Sequence, residues 1–292
     1  MTDSIRPWVM GARPRTLPAA VAPILAGTAL AALEDAVDPL LVALCLAVAL
    51  ALQVGVNYAN DYSDGVRGTD DQRVGPTRLV ASGLASPKAV KAAAFLSFGV
   101  AALAGLIVVV LIGQWWLLAV GVACILAGWF YTGGSKPYGY LGLGEIFVFV
   151  FFGLVATVGT GYVQTLGAPP HAWLAGSSVG ALASAILVAN NLRDIPTDRQ
   201  TGKNTLAVRL GDRGTRLFFA GLCVLSVLSV VGVAALTSWW CLLALAGCAL
   251  LAKPLRIVLG GAMGRGLIPV IQSTGFAEIG IGLGLLIGAL IA

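Results

Sequence analysis

The sequence predicts an all-α integral membrane protein of nine transmembrane helices, with the N-terminus cytoplasmic and the C-terminus outside. Three observations predict it. Of 292 residues, 58% are hydrophobic and 11% charged, against about 25% charged in a soluble domain. The apolar residues form continuous runs near the ~20 residues that a membrane helix needs, not the short alternating segments of a barrel. All 18 Lys and Arg residues fall on one face of a nine-span arrangement, as short cytoplasmic loops favour. Peptide groups in lipid must be bonded internally, so the spans are helices.

The expected spans are residues 17–34, 39–60, 89–112, 115–132, 143–164, 172–192, 214–236, 238–258 and 268–291. The N-terminal stretch carries Arg6, Arg13 and Arg15 and no apparent cleavable signal. The first run, with Pro18 and Pro23, therefore reads as a retained span. Spans two and three are joined by a long loop with Arg67, Arg73, Arg78, Lys88 and Lys91. Lys136 lies between spans four and five. Arg193, Arg199, Lys203, Arg209, Arg213 and Arg216 follow span six, and Lys253, Arg256 and Arg265 follow span eight. The opposite face has Glu34, Asp35 and Asp38 and no Lys or Arg. The net charge of +5 reflects this bias and does not imply nucleic acid as a partner. No linker or low-complexity stretch divides the chain, so residues 1–292 read as one domain. Cys45, Cys124, Cys223, Cys241 and Cys248 lie in apolar runs without C-x-x-C spacing and read as small buried hydrophobes. The single histidine, His171, opens a span and argues against a histidine-based metal site.

The two long loops carry the chemistry. The first follows Asn57, Asn60, Asp61 and Asp64, with Asp70 and Asp71 further on. Asn57, Asp61 and Asp64 share one face of a continuing helix, which Gly65 and Gly68 are expected to break. The second follows Asn190, Asp194 and Asp198, an i, i+4, i+8 ladder, with Pro196 expected to bend the helix. Carboxylates gathered at one membrane face repel unless cations join them. Mg2+ takes oxygen ligands and commonly uses one or two carboxylates plus substrate phosphates, so two such sets can hold two ions around a diphosphate. Arg67, Arg73, Arg78, Lys136, Arg193, Arg199 and Lys203 are the cations available to phosphate oxygens.

Four stretches make the pattern resemble the UbiA superfamily of membrane prenyltransferases, and within it the dihydroxynaphthoate branch. They are Arg13-Pro-Arg-Thr-Leu-Pro18, the acidic run Asn60 to Asp70, the run Tyr131 to Glu145, and Asn190 to Asp194 with Lys203 to Ala207. The broader superfamily places a third aspartate four residues after the second. Here that position is Gly68, and the acid comes at Asp70 or Asp71. The resemblance implies nine helices around a central cavity capped by the acidic loops. It implies Asn60, Asp61, Asp64, Asp194 and Asp198 as the Mg2+ and diphosphate site. It further implies transfer of a polyprenyl chain from polyprenyl diphosphate to 1,4-dihydroxy-2-naphthoate with loss of CO2, in a bacterial-type cytoplasmic membrane.

That chemistry needs a dry cavity for an allylic cation. Phe147, Phe149, Phe151, Phe152 and Tyr162 are aromatic candidates for its wall. Lys136 or a loop arginine is expected to orient the acceptor carboxylate, and Glu145 a lysine or the acceptor. Glu278 lies deeper in its span. The rival readings are a sister prenyltransferase for 4-hydroxybenzoate, homogentisate or haem, a phosphoribosyl transferase, and a secondary transporter, whose charges would lie nearer the midplane.

Overall fold

Side-chain caps and positive-φ glycines set several helix ends in the computed structural model, which describes residues 5–68 and 78–292. Arg6–Gly11 (α1) and a 3-10 turn at Pro14–Thr16 lead into Pro18–Ala32 (α2). Pro39–Arg67 (α3) begins where the Asp38 carboxylate accepts from the Leu40 and Leu41 amides, at 2.8 and 3.2 Å, as an N-cap should. Pro87–Ile112 (α4) is capped by Ser86 and stopped by Gly113 at φ 71°. Leu117–Phe130 (α5) follows. Gly144–Val148 (α6), a π-helical stretch Phe149–Val155 and Ala156–Thr165 (α7) make one rod. Pro170–Gln200 (α8) and Leu206–Leu236 (α9) have 31 residues each, the second kinked at Gly211. Leu245–Ala249 (α10), with the 3-10 turn before it, and Ala252–Leu259 (α11) meet at a 43° bend. Ile268–Ile291 (α12) ends the chain.

Helix occupies each of the nine expected stretches, with a different division of length. Among the described residues, six helices are long and apolar enough to cross a membrane, or seven counting the bent pair as one span. α2 and α5 have 15 and 14 residues, ~22 Å of rise against ~30 Å of hydrocarbon. The expected boundaries counted apolar residues that the chain uses in turns: Trp115 and Trp116 precede α5, and Tyr131 and Thr132 follow it.

α3 and α8 run the other way, past their expected ends at 60 and 192. Gly65 does not break α3. It lies inside the helix, where a Cβ would come within 2.6 Å of the Val80 side chain, so it lets the 78–82 turn approach. Gly68, at φ 71°, ends the helix. α8 continues through Pro196 to Gln200. Both acidic ladders thus ride on rigid helix.

α8 is the central helix: 72% of its most apolar stretch is buried, against 17% for α3. Small residues let its neighbours close in. A Cβ on Gly153 would lie 2.4 Å from the Gly180 Cα, and one on Gly284 2.5 Å from the Ala244 Cα. Gly280, Gly282 and Gly161 are also close-packed, whereas Gly159, expected among these contacts, has open space beside it. Outward aliphatics such as Leu96, Leu103 and Leu228 are more than half exposed, the surface a lipid-facing bundle presents.

Candidate active site

The ends of α3 and α8 open on one cavity of ≈ 250 Å³. Its mouth is lined by Asn60, Asp64, Asn190, Asn191, Asp194 and Asp198, with Arg78, Lys203 and Arg13 as cations. Its depth is lined by Leu52, Val56, Phe147, Phe151, Phe152 and Ile186. Of the aromatic candidates, Phe147, Phe151 and Phe152 line it and Phe149 and Tyr162 do not; Tyr131, Tyr138 and Tyr140 line it as well.

The mouth acids are buried and each has its own support. Asp64 accepts from the Tyr140 hydroxyl and pairs with Lys203 Nζ at 3.4 Å. Lys203 Nζ also sits over the Tyr140 ring, 4.6 Å from its centroid. The Lys203 amide donates to the Asp198 carbonyl at 2.9 Å, and the Asn204 amide to the Tyr140 carbonyl at 3.0 Å. These bonds seat the loop after α8 on the Tyr138–Leu141 turn. Asp194 receives both arms of Arg193, at 2.6 and 2.8 Å. Asn60 accepts from Thr132 Oγ1 at 2.8 Å.

Other expected site residues stand behind or beside the wall. Asp61 is 0% exposed and off the cavity. Its oxygens accept from the Leu79 and Val80 amides at 2.8 and 3.0 Å, which fixes the turn carrying Arg78. Asn57 is on the wall, but its amide donates to the Ala12 carbonyl at 2.9 Å and to Thr16 Oγ1 at 3.0 Å. Arg67 donates to the Thr132 and Gly134 carbonyls. Glu145 is buried off the cavity and accepts from Asn191 Nδ2 at 2.9 Å. Arg193 reaches the cavity only through Asp194. Lys136 and Arg199 are exposed and do not line it. Asp70, Asp71 and Arg73 lie outside the described residues.

Sequence reasoning missed several wall residues. Thr16, Tyr131 and Tyr138 to Tyr140 lie in stretches it singled out, without roles assigned. Gln53, an amide inside an apolar run at i−4 from Asn57, was the readable signal. Burial pushes the Tyr138 phenol up, so it stays a hydroxyl and donates to the Ala127 carbonyl at 2.7 Å.

Hard oxygen donors beside lysine and arginine suit a hydrated Mg2+ shared with phosphate. Among the described residues no three acidic, histidine or cysteine side chains gather closely enough to hold a metal alone. Asp64, Asp194 and Asp198 offer carboxylate oxygens of the kind that fits such an ion with substrate oxygen among its ligands.

The site is a cavity with acids and cations at its mouth and aromatic and aliphatic side chains in its depth, set in an all-helical bundle with membrane-length helices. The sequence match is specific: the UbiA prenyltransferase family matches residues 20–260. The chain belongs to that family and is a prenyltransferase. It is 53% identical over 277 residues to the 1,4-dihydroxy-2-naphthoate octaprenyltransferase of Mycobacterium tuberculosis, covering 94% of each chain. It is 40% identical to the enzyme of the same name from Escherichia coli, covering 86% of this chain and 84% of that one. The fold is shared with a UbiA homolog from Aeropyrum pernix at TM-score 0.72 and 15% identity, covering 92% of this chain and 97% of that one. It is also shared with a UbiA homolog from Archaeoglobus fulgidus bound to DMAPP and Mg2+, at TM-score 0.63 and 13% identity, covering 96% and 99%.

Proposed function

We propose that the protein transfers a polyprenyl chain from polyprenyl diphosphate to 1,4-dihydroxy-2-naphthoate, with loss of CO2, giving a demethylmenaquinol, the reduced form of demethylmenaquinone. The observation that carries this reading is 53% identity across 94% of a chain named for that acceptor. The C–O bond at the allylic carbon breaks, and its electron pair leaves on diphosphate. A ring carbon supplies the pair for the new C–C bond, and the carboxylate departs as CO2, returning its bonding pair to the ring.

Asp64, Asp194 and Asp198 would hold Mg2+, two ions in our reading, with Asp61 behind Asp64 and Asp70 or Asp71 as further candidates. Bound there, Mg2+ would neutralise charge developing on the leaving diphosphate. Lys203 and Arg78, buried on the wall, would bind the remaining phosphate oxygens. Phe147, Phe151 and Phe152 would face the allylic carbon with π-faces and no nucleophile. We further propose nine crossings of a bacterial cytoplasmic membrane, with the N-terminus and both acidic helix ends inside and the C-terminus outside. The one-sided distribution of Lys and Arg supports that orientation.

The test is a membrane assay with Mg2+, a polyprenyl diphosphate and either dihydroxynaphthoate or 4-hydroxybenzoate, with products read by mass. We expect a demethylmenaquinol or, after oxidation in air, its quinone, with CO2 release and complete loss with EDTA. Product from 4-hydroxybenzoate alone would move the acceptor assignment, and product from neither would overturn the reading.

A further inference from the structure

One polar group on the cavity wall has no use in the reaction as described so far. Gln53 lies one turn before Asn57 on α3, is 7% exposed and lines the cavity. Thr16 Oγ1 donates its single proton to the Arg13 carbonyl at 2.9 Å. It must then accept from its two amide neighbours, Gln53 Nε2 at 2.9 Å and Asn57 Nδ2 at 3.0 Å. This bookkeeping of one proton fixes the Gln53 amide: the nitrogen faces Thr16. Gln53 Oε1 is left buried, with no donor from the protein.

An unmet buried acceptor is costly, and a ligand that brings a hydroxyl removes the cost. The polyprenyl diphosphate is the wrong partner, because its head offers acceptors and its tail only hydrocarbon. The dihydroxynaphthoate offers two hydroxyls. Gln53 and Asp64 are 11 residues apart on one helix, ~16 Å of rise, which leaves room for a diphosphate at the mouth and a fused ring below it.

We propose that Gln53 is a specificity-determining residue for the aromatic acceptor, its Oε1 receiving a hydrogen bond from a ring hydroxyl. This rests on the prenyl-transfer reading above. Thr16 and Asn57 hold the amide in place before the acceptor arrives. A hydroxyl bound this way keeps its lone pair available to the ring, which favours attack by a ring carbon.

Gln53→Met keeps the side chain's size and removes the acceptor. In the membrane assay we expect the KM for dihydroxynaphthoate to rise about ten- to a hundred-fold, with the KM for polyprenyl diphosphate unchanged. A purely structural role would move both. Naphthoates lacking one hydroxyl or the other, used as inhibitors, supply the second arm. Against wild type, removing the bonded hydroxyl should weaken Ki by a similar factor, and against Gln53→Met it should cost little more. An unchanged acceptor KM in a folded Gln53→Met protein would overturn the assignment and leave the reaction standing. Should that variant fail to fold, the wild-type inhibitor series decides, and a Ki indifferent to both hydroxyls would overturn it. A wild-type protein that makes no product from dihydroxynaphthoate would overturn the reaction, and this proposal with it.

Discussion

Two of the places where this bundle buries carboxylates treat them in opposite ways. At the cavity mouth Asp64 is met by a lysine and a tyrosine hydroxyl and Asp194 by a bidentate arginine, and behind the wall Asp61 is met by two backbone amides. In the middle of α12, Glu278 is 0% exposed and neither of its oxygens has a hydrogen-bond partner. Burial alone therefore does not tell the two groups apart. The number and kind of donors around each acid does, and an anion held by donors can exchange them for a cation or a substrate oxygen.

Removing a mouth carboxylate should have the largest effect. Asp64→Ala and Asp194→Ala are each expected to lower turnover by at least about 10²–10³-fold, while the protein still inserts and folds. Neither residue contributes apolar packing. Near-normal rates for both at saturating Mg2+ would show that the met acids are structural and that the contrast carries no functional meaning.

Lys203 comes next. Its ammonium holds Asp64 at 3.4 Å and stacks on Tyr140. Lys203→Met should raise the KM for polyprenyl diphosphate about ten- to a hundred-fold, the scale of one charge-assisted hydrogen bond. The KM for the acceptor should hardly move. A shift in the acceptor KM instead would place Lys203 on the naphthoate carboxylate.

Asp61, just behind the mouth, sharpens the comparison. It shares α3 with Asp64, but its oxygens face the Leu79 and Val80 amides. Asp61→Asn keeps one acceptor and should lose about 1–3 kcal/mol of stability, read as a lower Tm. Its rate in excess Mg2+ should stay well above that of Asp64→Asn. Equal loss of rate with an unchanged Tm would make Asp61 a ligand after all.

Much of this was legible in the chain. The Asn60–Asp64 and Asn190–Asp198 spacings place the acids on helix faces, and the charge segregation groups them at one end. The two ladders also pointed to two helices sharing one ligand, while the central cavity they line was implied by the family resemblance. What was not legible depended on contacts distant in sequence. Nothing local marks Asp61 as the anchor of residues 79 and 80, since its partners are backbone amides 18 and 19 positions on. Lys136 looked equal to Lys203 by composition and is exposed, because the Lys203 loop folds back on Tyr140 and the Lys136 turn points away. Span lengths misled for a related reason: hydropathy counts Trp115 and Trp116 as span, while the backbone uses them as a turn.

The smallest effect should come from Glu278, and its sign is the informative part. Glu278 sits on the face of α12 whose neighbour Gly282 packs against Ala22 of α2, with Thr274 one turn before it bonded to its own helix at Val270. The buried carboxyl therefore costs free energy that no partner returns. Replacing an unmet polar group with an apolar one of similar shape is neutral or stabilising. Glu278→Met should accordingly raise stability by up to about 1–3 kcal/mol, read as a higher Tm in detergent, with turnover and both KM values unchanged. Glu278→Gln tests the same point from the other side. It keeps a polar group of equal size in the same place, so it should recover less of that stability than Met. If Met instead lowered turnover while Gln preserved it, Glu278 would be acting through a polar contact formed during the reaction cycle, and the line between met and unmet acids would have to be redrawn.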